Sequence, residues 1–144
     1  MRVLAAQSPD MSGIRYGEGV SPEEFLALGQ RVWPGDYGLA EATVALARTT
    51  NIGAWDGARL VGCVRLLTDG YFLSTVSEIL VDQAYRRRGI GRELMRRVVA
   101  AAPRGRLFLG AQPEAVDFFD RIGCERLLTG FVARHPLTDN HRGS

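Results

Sequence analysis

The run Val81-Asp82-Gln83-Ala84-Tyr85-Arg86-Arg87-Arg88-Gly89-Ile90-Gly91-Arg92-Glu93-Leu94 concentrates the chemistry of this chain. An apolar, strand-like stretch ends at Val81, a basic turn follows, and Gly89 and Gly91 open an amphipathic helix. Unpaired N–H groups at a helix start, with the positive end of its dipole, favour a phosphate. Glycine lets an anion approach the main chain unobstructed. The run therefore reads as a phosphate cradle. It is not a P-loop, because no Gly-Lys-Ser/Thr follows the glycines. A dinucleotide fingerprint fits poorly, since Leu94 stands where its third glycine belongs.

Composition narrows whose phosphate is held. At 144 residues with 46% hydrophobic and 24% charged residues, the chain predicts one globular domain over residues 1–144. Its net charge of +2 is too small to point to nucleic acid. All 18 basic residues are arginine, and eight of them (Arg86, Arg87, Arg88, Arg92, Arg96, Arg97, Arg104, Arg106) fall between positions 86 and 106. That local field suits a polyanionic ligand, although Glu93 and Arg97 are also spaced for an i,i+4 pair. Cys63 and Cys124 have no metal-site spacing and read as buried free thiols, so no metal is expected. With no leader-like apolar segment at Met1–Asp10 and no membrane-length stretch, the expectation is a cytoplasmic protein that neither enters nor binds a membrane.

The elements that must position the cradle follow from local signals. Residues 1–12 and the tail 135–144 lack periodicity and are expected to be loose. Ile14–Gly17 predicts a short strand. Ser21-Pro22-Glu23-Glu24 is a capping box with proline at N1, and the helix it opens stops at Pro34-Gly35. A second helix is expected over Leu39–Arg48. Asp56-Gly57 and Asp69-Gly70 are turn signals separating Asn51–Trp55, Arg59–Leu67 and Tyr71–Val81, which predicts three consecutive antiparallel strands. Leu94, Met95, Val98, Val99 and Ala102 form one stripe of the helix Gly89–Ala102. A buried strand at Arg106–Leu109, a helix from Pro113 ending at Gly123 and a last strand at Leu127–Ala133 complete the order.

Arg86, Gly89 and Gly91 occupy the positions of Arg/Gln-x-x-Gly-x-Gly/Ala, the acyl-CoA signature of the GNAT superfamily of N-acyltransferases, which this chain resembles over roughly residues 58–124. The Val81-x-x-x-Tyr85 lead-in and Leu94 fit the same pattern. Downstream, Gln112–Cys124 is similar to the family's Asn-x-x-Ala-x-x-Phe-Tyr-x-x-x-Gly-Phe helix. Ala115, Phe118 and Gly123 match; Gln112, Phe119 and Cys124 depart from it. The resemblance implies an α+β fold, with a mixed, mostly antiparallel central sheet flanked by about four helices. It further implies transfer of an acetyl group from acetyl-CoA to a primary amine, on a small molecule or a protein.

On that resemblance, the donor would lie along Ile79, Leu80 and Val81, with main-chain N–H groups around Leu80 and Val81 pairing with pantetheine and polarising the thioester carbonyl. Arg86, Arg87, Arg88, Gly89, Ile90, Gly91 and Arg92 would hold the pyrophosphate, and Gln112 and Phe119 would also contact the donor. Phe119 stands where many members carry the tyrosine assigned as general acid. A thiolate leaves tolerably without one, since thiols titrate near about 8.5. Glu78 is the candidate general base, on an apolar strand where burial would raise its pKa. Its other reading is an ion-paired strand residue, with Arg65 as partner. Asp69 and Asp82 are weaker candidates that suit turns. Trp33, Tyr37 and Trp55 line either the acceptor site or the core. The altered Phe119 keeps a second function open, a non-catalytic acyl-CoA-binding module. Homodimers are common in the family, and a homodimer is an expectation of the resemblance alone.

Overall fold

The computed structural model describes residues 13–135, so the expectations for 1–12 and for the tail beyond His135 lie outside the described residues. The chain divides into two compact units, one through Leu109 and one from Gly110.

In the first unit, strands β1 (Ile14–Gly17), β2 (Thr50–Asp56), β3 (Arg59–Thr68) and β4 (Ser74–Val81) form one antiparallel sheet in that order. The Asp56-Gly57 turn joins β2 to β3 with Asp56 opposite Arg59. The second expected hairpin is looser. Asp69 Oδ1 accepts the N–H groups of Tyr71, Phe72 and Leu73 at 2.7–3.1 Å, which curls these residues into a loop. Strand β4 therefore starts at Ser74, not at Tyr71, and the three looped residues are exposed. Arg106–Leu109 does not extend as a strand; it contributes one parallel bridge, Phe108 to Thr75.

Helix α1 (Pro22–Val32) starts as its sequence dictates. Ser21 Oγ accepts Glu24 N–H while Glu24 Oε2 accepts Ser21 N–H at 2.7 Å. It buries Leu28 against Val20, Trp55, Leu60, Cys63 and Leu80 on one face of the sheet. Trp55 is thus core, and its indole N–H donates to Glu24 Oε1 at 2.8 Å. Helix α2 (Leu39–Ala47) follows. Helix α3 (Ile90–Ala101) buries Ile90, Leu94, Met95 and Val98, each worth roughly 1.5–3 kcal/mol if fully removed from water. It packs against Gly62, where a Cβ would stand 2.9 Å from the Ile90 side chain. Only a residue without a side chain lets α3 approach β3 this closely.

In the second unit, a 3-10 turn (Pro113–Ala115) runs into α4 (Val116–Arg121). Phe118 and Phe119 meet edge to face at 5.0 Å, and Phe119 is buried. The strand expected over Leu127–Ala133 does not form. Its apolar residues come in pairs around Gly130, so no face alternates, and no other strand lies between Gly110 and His135 to pair with it. Leu127, Leu128, Phe131 and Val132 are exposed.

Candidate functional site

The first part of the site is a strand edge. Asp82 N–H donates to the Val61 carbonyl at 2.8 Å. In an alternating antiparallel ladder, the amides of Leu80 and Glu78 then point the same way, toward β3. Those of Ile79 and Val81 point to the opposite edge. Earlier in β4 that edge is occupied: Val76 N–H donates to the Phe108 carbonyl at 3.0 Å, and Phe108 N–H to Ser74 at 2.9 Å. Beyond Val76, no backbone carbonyl among the described residues accepts from Ile79 or Val81. The stretch Ile79–Val81 thus offers two edge amides, with Leu80 N–H engaged in the ladder between them.

The second part is the start of α3. Asp82 caps a 3-10 turn (Gln83–Tyr85) by accepting Ala84 N–H at 3.1 Å. The chain then passes through two left-handed residues, Arg87 at φ 65 and Gly89 at φ 80. Left-handed backbone costs a non-glycine residue about 1–2 kcal/mol, so Arg87 holds local strain. The first intrahelical bond runs from Glu93 N–H to the Gly89 carbonyl, and no side chain caps the start. The amides of Ile90, Gly91 and Arg92 therefore have no partner within the helix. A Cβ built on Gly89 meets nothing within 4 Å, so no neighbouring side chain crowds the residue that precedes those amides.

Charge reinforces the opening. Arg86, Arg87, Arg88 and Arg92 are exposed and form no ion pair with a described carboxylate. Arg88 lies 4.8 Å over the Tyr85 ring, and Arg86 reaches the Val81 carbonyl at 3.4 Å. Arg96 and Arg97, further along, are both taken by Glu93. Hydrogen bonding from Arg96 and Arg97 holds that glutamate below the usual carboxylate range. Along α3, uncompensated arginine charge is thus confined to the helix start. Open amides, a dipole and free guanidiniums fit a pyrophosphate, while the edge amides of β4 fit an amide- or thioester-bearing arm.

Two contacts hold this loop in place, and neither was legible in the sequence. Arg31, from α1, donates to Asp82 at 2.8 Å and to the Leu60 carbonyl at 2.6 Å, and Arg59 adds a 3.2 Å bond to Asp82. Burial pushes the Asp82 carboxyl up, but bonds from Ala84 N–H, Arg31 and Arg59 outweigh it and hold it below its ordinary value. Tyr85 donates its hydroxyl to Asp56 at 2.5 Å, which raises its pKa and ties the loop to the β2–β3 turn. Asp82 is therefore an anchor. Asp69 is likewise a loop organiser, kept ionised by the three N–H groups it accepts.

Glu78 sits on the α1 face of β4, directly across from Arg65. The guanidinium grips it with two bonds, 2.6 Å from Nε and 3.1 Å from a terminal nitrogen, and also reaches Ser77 Oγ at 2.9 Å. Arg65 is itself 5.9 Å over the Phe25 ring. Both side chains of the pair are mostly buried, at 17% and 16% exposure. Trp33 and Tyr37, half exposed, stay available to a ligand; Trp55 does not. Gln112 is exposed ahead of the 3-10 turn of the second unit.

Residues 22–134 match the family profile described as the acetyltransferase (GNAT) domain. The chain is 33% identical over 70 residues to GCN5-related N-acetyltransferase 2, chloroplastic, of Arabidopsis thaliana, a stretch covering 46% of this chain and 27% of that protein. It thus spans less than a third of that relative's length. Among solved structures, a GNAT-family acetyltransferase from Streptococcus pneumoniae superimposes with a TM-score of 0.71 at 28% identity, over 85% of this chain and 97% of that one. A probable acetyltransferase from Staphylococcus aureus shares the fold at a TM-score of 0.74 and 17% identity, over 85% and 99%.

Proposed function

Because this chain belongs to the GNAT acetyltransferase family, we propose that it transfers an acetyl group from acetyl-CoA to a primary amine by direct attack on the thioester. The observation that carries the reading is the pairing of an uncapped, arginine-flanked helix start with two unpartnered strand-edge amides, Ile79 and Val81. Acetyl-CoA would supply the activated acyl group. The amides of Ile90, Gly91 and Arg92, with Arg86, Arg87 and Arg88, would bind its pyrophosphate. The edge amides would orient the pantetheine arm and donate to a carbonyl oxygen as negative charge grows on it. Gln112 and Phe119 enter as donor contacts on the family pattern alone.

Glu78 is the proposed proton acceptor. An alkylammonium titrates near about 10.4, so it must lose a proton before its nitrogen can attack. Arg65 fixes the Glu78 carboxylate on the α1 face, and the proton reaches it directly or through ordered water. Phe119 has no proton to give, so the thiolate departs without a phenolic acid at that position. The proposal places the reaction in the cytoplasm and in a single domain; the family match over residues 22–134 supports the single domain. No described helix is long and apolar enough to cross a membrane.

The test follows thiol release from acetyl-CoA across a panel of small amines and peptide N-termini, with Glu78→Gln beside the parent chain. Turnover abolished by E78Q, with CoA affinity retained, supports an enzyme. The second reading, an acyl-CoA-binding module, is favoured by Phe119 and by the arginine grip on Glu78. It is the outcome if CoA binds tightly and no acceptor releases thiol.

A further inference from the structure

Helix α2 departs from the rule that a surface helix shows water a polar face. Its sequence, Leu39–Ala47, has only Glu41 and Thr43 as polar residues. Ala42 and Leu46 face the protein; Leu39, Ala40, Val44 and Ala47 face outward, with Leu39 and Val44 about half exposed. Ala40, Glu41, Val44, Ala45 and Arg48 line an open depression of about 480 Å³ on this outer side.

Its charges have a particular arrangement. Glu41 and Arg48 are seven residues apart, two turns of helix, so they flank Val44 and Ala45 on one stripe about 10.5 Å apart. Both are exposed, and neither forms an ion pair among the described residues. A two-fold axis through the Val44–Ala45 midpoint places Glu41 opposite Arg48 of a second copy, and Arg48 opposite its Glu41. Val44 then meets Ala45 at the centre, where alanines permit close approach. A stripe complementary to itself under a two-fold rotation is what an isologous interface requires.

We propose that α2 pairs antiparallel with α2 of a second copy of this chain, through Val44 and Ala45 at the centre and reciprocal Glu41–Arg48 pairs at the ends. The nine-residue helix spans only about 13.5 Å, short of the roughly 800 Å² per partner of a standard interface. Trp33, Tyr37 and Leu39 lead into the helix and are each about half exposed, and they extend the apolar surface. They are held ready: Tyr37 donates its hydroxyl to the Trp33 carbonyl at 2.7 Å, and Gln30 bonds the Gly35 backbone. The dimer is a concentration-dependent one, built from residues other than the proposed donor-binding set, and its test does not require turnover.

Sedimentation velocity over a concentration series tests it, with circular dichroism and CoA affinity as checks that each variant folds. The parent chain should show a reversible monomer–dimer equilibrium. E41R and R48E each set like charges face to face twice per dimer, and each should weaken dimerisation about tenfold or more. The double variant E41R/R48E exchanges the charges and should restore it, and V44D should abolish it. A parent chain that stays monomeric overturns the proposal. So does a dimer indifferent to V44D, or a double variant no better than either single one.

Discussion

Replacing Gly89 by alanine separates the structural demand of the helix start from its binding role. Gly89 sits at φ 80, where a Cβ brings a backbone penalty of about 1–2 kcal/mol. Alanine also restricts the unfolded chain, which returns about 0.4–1 kcal/mol. No atom lies within 4 Å of the new Cβ, so no packing clash adds to the cost. The net loss is therefore about 1 kcal/mol, a fall in Tm of roughly 2–4 °C for a chain of this size. On the proposed binding mode the new methyl group adjoins the first amides of α3 and would hinder one hydrogen bond to an anion. Losing one bond to a charged group lowers CoA affinity about tenfold or more. Arg87→Gly provides the opposite sign. It relieves the left-handed strain at φ 65 and raises Tm, yet it removes one guanidinium and weakens CoA. Differential scanning calorimetry and CoA titration of both variants measure the four quantities. If G89A lowers Tm while CoA affinity stays unchanged, the left-handed glycine is merely structural and the cradle argument fails.

Further expectations concern the groups around the site. In a double-mutant cycle of R65M and E78Q, urea unfolding should show a coupling of about 1–2 kcal/mol, since both partners are mostly buried and doubly bonded. Independent effects would mean the pair is not formed. Asp82 titrates lower when folded than when unfolded. Its stabilisation is thus present above the unfolded pKa and lost as pH falls through the folded one. D82N should flatten the acid limb of the stability profile and lower stability near neutrality by about 1–3 kcal/mol; an unchanged acid limb contradicts the anchor. Burial pushes the Cys63 thiol up to about 12, whereas Cys124 is only half-buried. Iodoacetamide at neutral pH, followed by mass spectrometry, should label Cys124 first and reach Cys63 only on unfolding. Early labelling of Cys63 would show that the α1 face of the sheet opens readily.

What could be read from the sequence was whatever short-range chemistry specifies. The Ser21–Glu24 box closes within one turn, Asp56-Gly57 sets its own hairpin, and the stripe of α3 lies on one face, although Val99 at its edge remains exposed. The uncapped, arginine-flanked start of α3 belongs to this class, because glycine, arginine and helix start are contiguous. Most long-range choices were not legible, the Arg65–Glu78 pair between adjacent strands excepted. Arg31 and Asp82 meet across 51 positions, so nothing in the spacing announced the anchor. Tyr71–Leu73 has strand-like composition, but Asp69 offers its backbone amides a nearer acceptor. Leu127–Ala133 is apolar without alternation, and a strand needs a partner that its own segment cannot provide. Ile79, Leu80 and Val81 look equivalent in sequence; only the register with β3 separates the two edge amides from the one between them.

That separation gives the most direct test. Amide hydrogen exchange followed by NMR, with and without saturating CoA, reads each N–H individually. The account predicts that Leu80 is protected in both states, while Ile79, Val81, Ile90, Gly91 and Arg92 gain protection only when CoA is bound. Unchanged exchange at those five amides under saturating CoA, or new protection confined to other parts of the chain, would contradict it.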